Sequence, residues 1–120
     1  MDGNNRWSKQ NKVTPFDSYI KGSNKLLEIS EYIFSNYETK YITAFALSKN
    51  NLKRPTEKIR MLKSVLKYFL EDSDVISKYK FRIILKGNLG FLSKKLVNKI
   101  EHLNSRNFNY KKTLFILINY

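Results

Sequence analysis

The sequence predicts an α/β fold in which a parallel sheet is flanked by helices. Three short apolar runs, rich in β-branched and aromatic residues, read as strands. Each is preceded by a segment with apolar residues at helical spacing. The order helix-strand-helix-strand-helix-strand favours right-handed crossovers and strands that run the same way. Only four Gly and two Pro punctuate the chain, and no repeat or low-complexity linker divides it, so residues 1–120 read as one domain.

The elements follow in order. A helix is expected from about Asp17 or Asn24 to Asn36, with Leu26, Ile29 and Ile33 on one face and Leu27 and Phe34 widening it. Tyr41 to Leu47 is nearly unbroken apolar sequence and reads as a buried strand. Ser48-Lys49-Asn50-Asn51 closes it with turn chemistry. Thr56 is a candidate N-cap for a second helix reaching Glu71, with Ile59, Leu62, Leu66 and Phe69 as its apolar stripe. Phe81 to Leu85 is a second strand, and Gly87 and Gly90 break the chain after it. Ser93 caps a third helix, with Leu92 and Val97 placed for a hydrophobic staple and Leu96, Ile100 and Leu103 facing inward. Thr113 to Ile118 is a third buried strand.

Composition narrows the chemistry. With no cysteine, disulfides, thiolate catalysis and cysteine-based zinc sites are excluded. The single histidine, His102, cannot form a histidine metal cluster and reads as a helix-surface residue. No apolar run approaches the roughly eighteen residues of a membrane span, and the polar start lacks a signal-peptide core. The expectation is a soluble, cytoplasmic chain.

A formal charge of +13 favours anionic partners: nucleic acid, phosphorylated metabolites or an anionic membrane surface. Basic residues collect around Lys49–Lys67, opposed there only by Glu57, and again between Lys78 and Lys99 with no acid among them. Such runs usually form a solvated face. They also draw in polyanions or hold a protein against the inner face of a membrane. A nucleic-acid module lacks support in detail. There is no zinc spacing or arginine-rich helix, and lysine outnumbers the arginine that base reading favours. Phosphate-loop and dinucleotide fingerprints are also absent.

Two segments stand out. Met1-Asp2-Gly3-Asn4-Asn5-Arg6-Trp7 sets a carboxylate, a glycine, two amides, a guanidinium and an indole side by side. Asp2 suits a hard cation, Gly3 permits close backbone approach, and Arg6 can fork onto phosphate oxygens. By themselves such residues also make an ordinary polar N-terminus. Ser48, Asn50, Asn51 and Arg54 follow the first strand, where parallel sheets place their ligands. An ordinary turn has the same composition.

Together these two segments resemble the signature of the cis-prenyltransferase family, of which undecaprenyl diphosphate synthase is the bacterial representative. Family members carry Met-Asp-Gly-Asn-Gly-Arg-Trp and, further along, Ala-Phe-Ser-x-Glu-Asn-Trp-x-Arg-Pro. The second block corresponds to Ala46 through Pro55. Arg82-Ile83-Ile84 and Asn119-Tyr120 also fall where the family has similar residues. The resemblance implies a homodimeric enzyme that condenses isopentenyl diphosphate onto an allylic diphosphate such as farnesyl diphosphate, assisted by Mg²⁺, with no nucleic-acid partner. It implies that Asp2 is the central catalytic carboxylate and metal ligand. Gly3, Asn4, Asn5 (through its backbone) and Arg6 would cradle the allylic diphosphate near a helix start, with Trp7 beside it. Ser48, Asn51 and Arg54 would meet the condensing substrate, with Asn51 the candidate for proton removal. The apolar faces of the two longer helices would wall a lipid tunnel, or would simply be core.

The departures from the family pattern matter. Asn5 replaces a glycine, Pro15 an arginine and Tyr19 a histidine. Asn50 replaces a glutamate, Leu52 a tryptophan and Lys58 another glutamate. Weaker or altered activity is expected. The family's chains are also longer, with further arginines and an acidic metal ligand beyond the matched region. The expected fold is therefore incomplete at both ends, with exposed sheet edges and marginal stability or self-association. Two other readings remain: a non-catalytic partner subunit or inactive fragment, and a basic nucleic-acid-binding module.

Overall fold

In the computed structural model, residues 3–53, 55–71, 76–106 and 109–120 are described. The helices are α1 (Asn4–Gln10), α2 (Pro15–Asn36), α3 (Thr56–Glu71) and α4 (Lys94–Asn104). The strands are β1 (Tyr41–Leu47), β2 (Arg82–Gly87) and β3 (Thr113–Ile118), and a 3-10 turn covers Lys49–Lys53. The described strands are all parallel, in the order β1-β3-β2.

Local chemistry explains the boundaries. Thr14 caps α2 by accepting from the Asp17 N–H at 3.1 Å, and Pro15 supplies a preset first turn. The helix thus starts before the expected Asp17. Its buried stripe also differs from expectation: Leu27, Ser30 and Phe34 are buried, whereas Ile29 is 50% exposed. Ser30 breaks the apolar pattern on the inward face, so periodicity alone points to the neighbouring stripe. In α3, Thr56 is the first helical residue rather than the cap, and the Pro55 carbonyl accepts from Lys58 and Ile59. Ser93 caps α4 as expected, accepting from the Leu96 N–H.

Leu27 and Phe34 from α2, Phe69 from α3, and Ile100 and Leu103 from α4 belong to one core cluster. That cluster also contains Ile83, Leu85, Leu114, Ile116 and Ile118, which alternate along β2 and β3 and so share one face of the sheet. The opposite face carries Tyr41, Thr43 and Phe45 with Ile84, Phe115 and Leu117, and none of these joins the cluster. The expectation that β1 is buried therefore fails. Tyr41 is 65% and Phe45 56% exposed, because β1 is an edge strand whose outer side no described helix in that cluster covers. Tyr41 meets Phe115, and Phe45 meets Tyr120, in ring contacts of 6.2 Å.

At the other edge, Asn104 at the end of α4 occupies the pairing positions of Leu85. Its Nδ2 donates to the Leu85 carbonyl at 3.0 Å, and its Oδ1 accepts from the Leu85 N–H at 2.8 Å.

Candidate functional site

The carboxyl ends of the three strands are tied together. The Asn119 N–H donates to the Leu47 carbonyl at 2.7 Å, and Asn119 Nδ2 donates to the Asn88 carbonyl at 2.8 Å. Gly87 has φ +139°, and a Cβ there would lie 1.6 Å from the Ile118 carbonyl oxygen, so only glycine permits this crossing. Ser48, half-buried, follows directly on β1 at this end of the sheet.

The first sequence block is folded against α2. Gly3 has φ +87° and precedes α1, whose first turn closes with a Trp7 N–H to Gly3 carbonyl bond of 2.9 Å. The buried Ser18 hydroxyl donates to the Asn4 carbonyl at 2.7 Å. Gly22 brings α2 so close that a Cβ on it would lie 2.8 Å from Asn4 Oδ1. The Ser8 hydroxyl donates to the Asn5 carbonyl at 2.9 Å. The Trp7 and Ser8 bonds are local, and the Ser18 bond together with the close approach of Gly22 anchors the short polar turn to α2. Arg6 is exposed, with one guanidinium nitrogen 3.8 Å from where a Gly3 Cβ would stand. Trp7 is 39% exposed, with the Lys21 ammonium 5.3 Å from its ring centre.

Between α2, α3 and the inner face of the sheet lies a cavity of about 110 Å³. Asn4 lines it together with Leu47, the last residue of β1, so the first block and the strand end that leads into Ser48 border the same cavity. The walls are otherwise mostly aliphatic and aromatic, with Tyr19, Ser23 and Lys63 as polar members. Sequence reasoning did not place Ser23 or Phe91 here. The signal for the α2 wall was Tyr19, Ser23 and Leu26 at successive turns of one face. A second hollow of about 190 Å³ sits beside Asn5, lined by Tyr19, Glu57 and Lys58. A wider one of about 530 Å³ lies between α3 and α4 and shares no lining residue with these two.

The other expected site residues divide as follows. Asn51 lies in the 3-10 turn, and its side chain is outside the described set. Asp2 and Arg54 lie outside the described residues. Among the described residues no three His, Cys, Asp or Glu side chains gather to hold a metal. The oxygen-bearing side chains that line the second hollow belong to Asn5, Tyr19 and Glu57, with Lys58 beside them. Mg²⁺ commonly binds through one or two carboxylates plus substrate phosphates, so a single carboxylate here fits only an ion carried in with a diphosphate and not a complete protein cage. Lys49, Lys53 and Lys58 are exposed nearby in sequence, a field favourable to anions. No helix among the described residues is long and apolar enough to cross a membrane.

Comparison with known proteins gives a consistent picture. The family pattern described as putative undecaprenyl diphosphate synthase matches residues 1–120. An isoprenyl transferase from Fusobacterium nucleatum is 32% identical over 122 residues, covering 100% of this chain and 53% of the relative. A GGDP-specific tritrans,polycis-undecaprenyl-diphosphate synthase from Sulfolobus acidocaldarius is 32% identical, with 97% of this chain and 45% of the relative covered. Among solved structures, lavandulyl diphosphate synthase from Lavandula x intermedia, in complex with dimethylallyl diphosphate, superposes with a TM-score of 0.79 at 23% identity. That superposition covers 99% of this chain and 51% of the other. The chain thus spans about half the length of the relatives it matches.

Proposed function

The chain belongs to the undecaprenyl diphosphate synthase family of cis-prenyltransferases, and from that premise we propose that it binds an allylic diphosphate for prenyl transfer to isopentenyl diphosphate. The observation that carries this reading is the apolar cavity shared by Asn4 and Leu47 at the carboxyl end of a parallel sheet. A prenyl diphosphate needs that pairing of a polar, cation-rich mouth with an apolar interior.

In this proposal Gly3, Asn4, the backbone at Asn5, and Arg6 receive the diphosphate. Gly3 supplies the positive φ of +87° that turns the chain into α1, and the fork of the neighbouring Arg6 guanidinium suits two phosphate oxygens. Trp7 flanks the substrate. Asp2 is the carboxylate for Mg²⁺, which supplies charge neutralisation on the diphosphate when bound. Electrons of the isopentenyl double bond form a new bond to C1 of the allylic group. The C1–oxygen bond breaks toward the diphosphate, and a proton leaves C2 of the isopentenyl unit as the cis double bond forms. Ser48 and Arg54 hold the condensing diphosphate. The Asn51 amide oxygen guides the departing proton; being a weak base, it needs a phosphate oxygen or water as final acceptor.

The test is incubation of the whole chain with labelled isopentenyl diphosphate, an allylic diphosphate and Mg²⁺. Product that disappears in Asp2→Ala supports catalysis. Absence of product, with stimulation of a full-length synthase, replaces catalysis by a partner-subunit role. The half-length match to the relatives favours keeping that second arm in the experiment. Salt-sensitive RNA or DNA binding that Asp2→Ala leaves unchanged, without prenyl product, overturns both.

A further inference from the structure

The cavity sets a size for what enters it. Resting on the prenyl-transfer reading above, we infer that the allylic substrate of this chain has a five-carbon tail, as in dimethylallyl diphosphate, rather than a ten- or fifteen-carbon one. The cavity measures about 110 Å³. An apolar protein cavity of about 150 Å³ takes benzene, roughly 25 Å³ per carbon. On that scale 110 Å³ holds four carbons. A dimethylallyl group has four carbons beyond the one bonded to the diphosphate oxygen. A farnesyl tail has fourteen, and needs about 350 Å³ by the same measure.

The cavity also has a closed end. α2 leads toward the amino end of β1, and α3 follows its carboxyl end, so both run back along the sheet. Asn4, Tyr19 and Ser23 therefore stand toward the carboxyl end of the strands, and Leu26 and Phe69 lie deeper. Beyond them, toward the amino ends of the strands, Phe34 and Phe81 are buried with ring centres 5.1 Å apart. Neither ring lines the cavity, so buried aromatic core, not open space, lies in the direction a longer tail would take.

Calorimetric titration of the whole chain, with Mg²⁺, against methyl, dimethylallyl, geranyl and farnesyl diphosphate tests this. Each buried carbon is worth about fourfold in affinity. Dimethylallyl diphosphate is therefore expected to bind on the order of a hundredfold more tightly than methyl diphosphate, with farnesyl diphosphate within about tenfold of dimethylallyl. Farnesyl diphosphate binding a hundredfold more tightly than dimethylallyl overturns the five-carbon limit and leaves the prenyl-transfer reading standing. Equal binding of methyl and dimethylallyl diphosphate overturns the cavity's role. No binding of any of the four overturns the proposed function itself. Ala46→Leu fills the cavity from the sheet, and Ser23→Leu fills it from α2. Whichever of the two folds should bring the dimethylallyl and methyl diphosphate affinities together. Unchanged dimethylallyl affinity in a folded variant counts against the inference.

Discussion

Gly22→Ala separates stability from ligand binding. Gly22 lies inside α2, and Ala is favoured over Gly in a helix interior by about 0.8–1 kcal/mol. The same methyl group would stand 2.8 Å from Asn4 Oδ1, against 3.4 Å for ordinary contact, so the Asn4 amide must move by roughly half an ångström. The amide ends a short, half-buried side chain, and its shift consumes only part of the helix gain. Tm should stay level or rise by about 2–4 °C. Ligand affinity should move the other way. A hydrogen bond from the Asn4 amide to a phosphate oxygen is worth about 1.5–3 kcal/mol, so displacing it should weaken diphosphate binding by about 10- to 150-fold. Thermal unfolding and calorimetric titration with dimethylallyl diphosphate read the two effects on one preparation. Unchanged affinity at raised Tm refutes the role given to Asn4. So does an equal loss on adding Gly22→Ala to an Asn4→Ala background, where no amide remains to displace.

Gly87→Ala drives a Cβ into the Ile118 backbone at 1.6 Å and should remove cooperative unfolding by costing more than about 4 kcal/mol; a change under 1 kcal/mol in a denaturant melt contradicts the geometry. Asn104→Ala strips both partners from Leu85 and should destabilise by about 1–3 kcal/mol, with Asn104→Asp intermediate because it keeps only the acceptor. The hydrogen bond from Lys99 holds the Glu71 carboxyl below its ordinary value of 4.5. The stabilisation is present above that value and is lost as pH falls through the lower folded one, so Lys99→Met should flatten the acid side of a Tm–pH profile. Phe45→Ser, on the uncovered face of β1, should reduce concentration-dependent association in sedimentation runs without lowering Tm.

Strand positions were legible because the apolar runs are bounded by turn residues: Tyr41–Leu47 and Thr113–Ile118 match the expected spans. Their order in the sheet was not. A run such as Tyr41–Leu47 looks the same at an edge or in the centre, and β3 takes the centre because it pairs with both neighbours. The α2 stripe was misread because Ser30 is buried where an apolar residue is expected, and its hydroxyl has no hydrogen-bond partner among the described residues. α1 was not expected as a helix from its own composition, since contacts with Ser18 and Gly22 hold it. Of the motif residues singled out by their order, Asn4 lines the cavity, and Gly3 and Arg6 lie beside it in the chain. Tyr19 was singled out only by comparison with the family, and Ser23 and Phe91 became visible only when the cavity brought helix and loop together.

The Asn104 amide makes the two borders of the sheet unequal. It fills the middle pairing position on the free side of β2, so a strand arriving there must first dislodge the last turn of α4. The same amide joins a helix end to a strand border through backbone groups rather than through packed side chains. Among the described residues, fraying of the last turn of α4 and unmasking of the Leu85 backbone are therefore one event: the two open together or not at all.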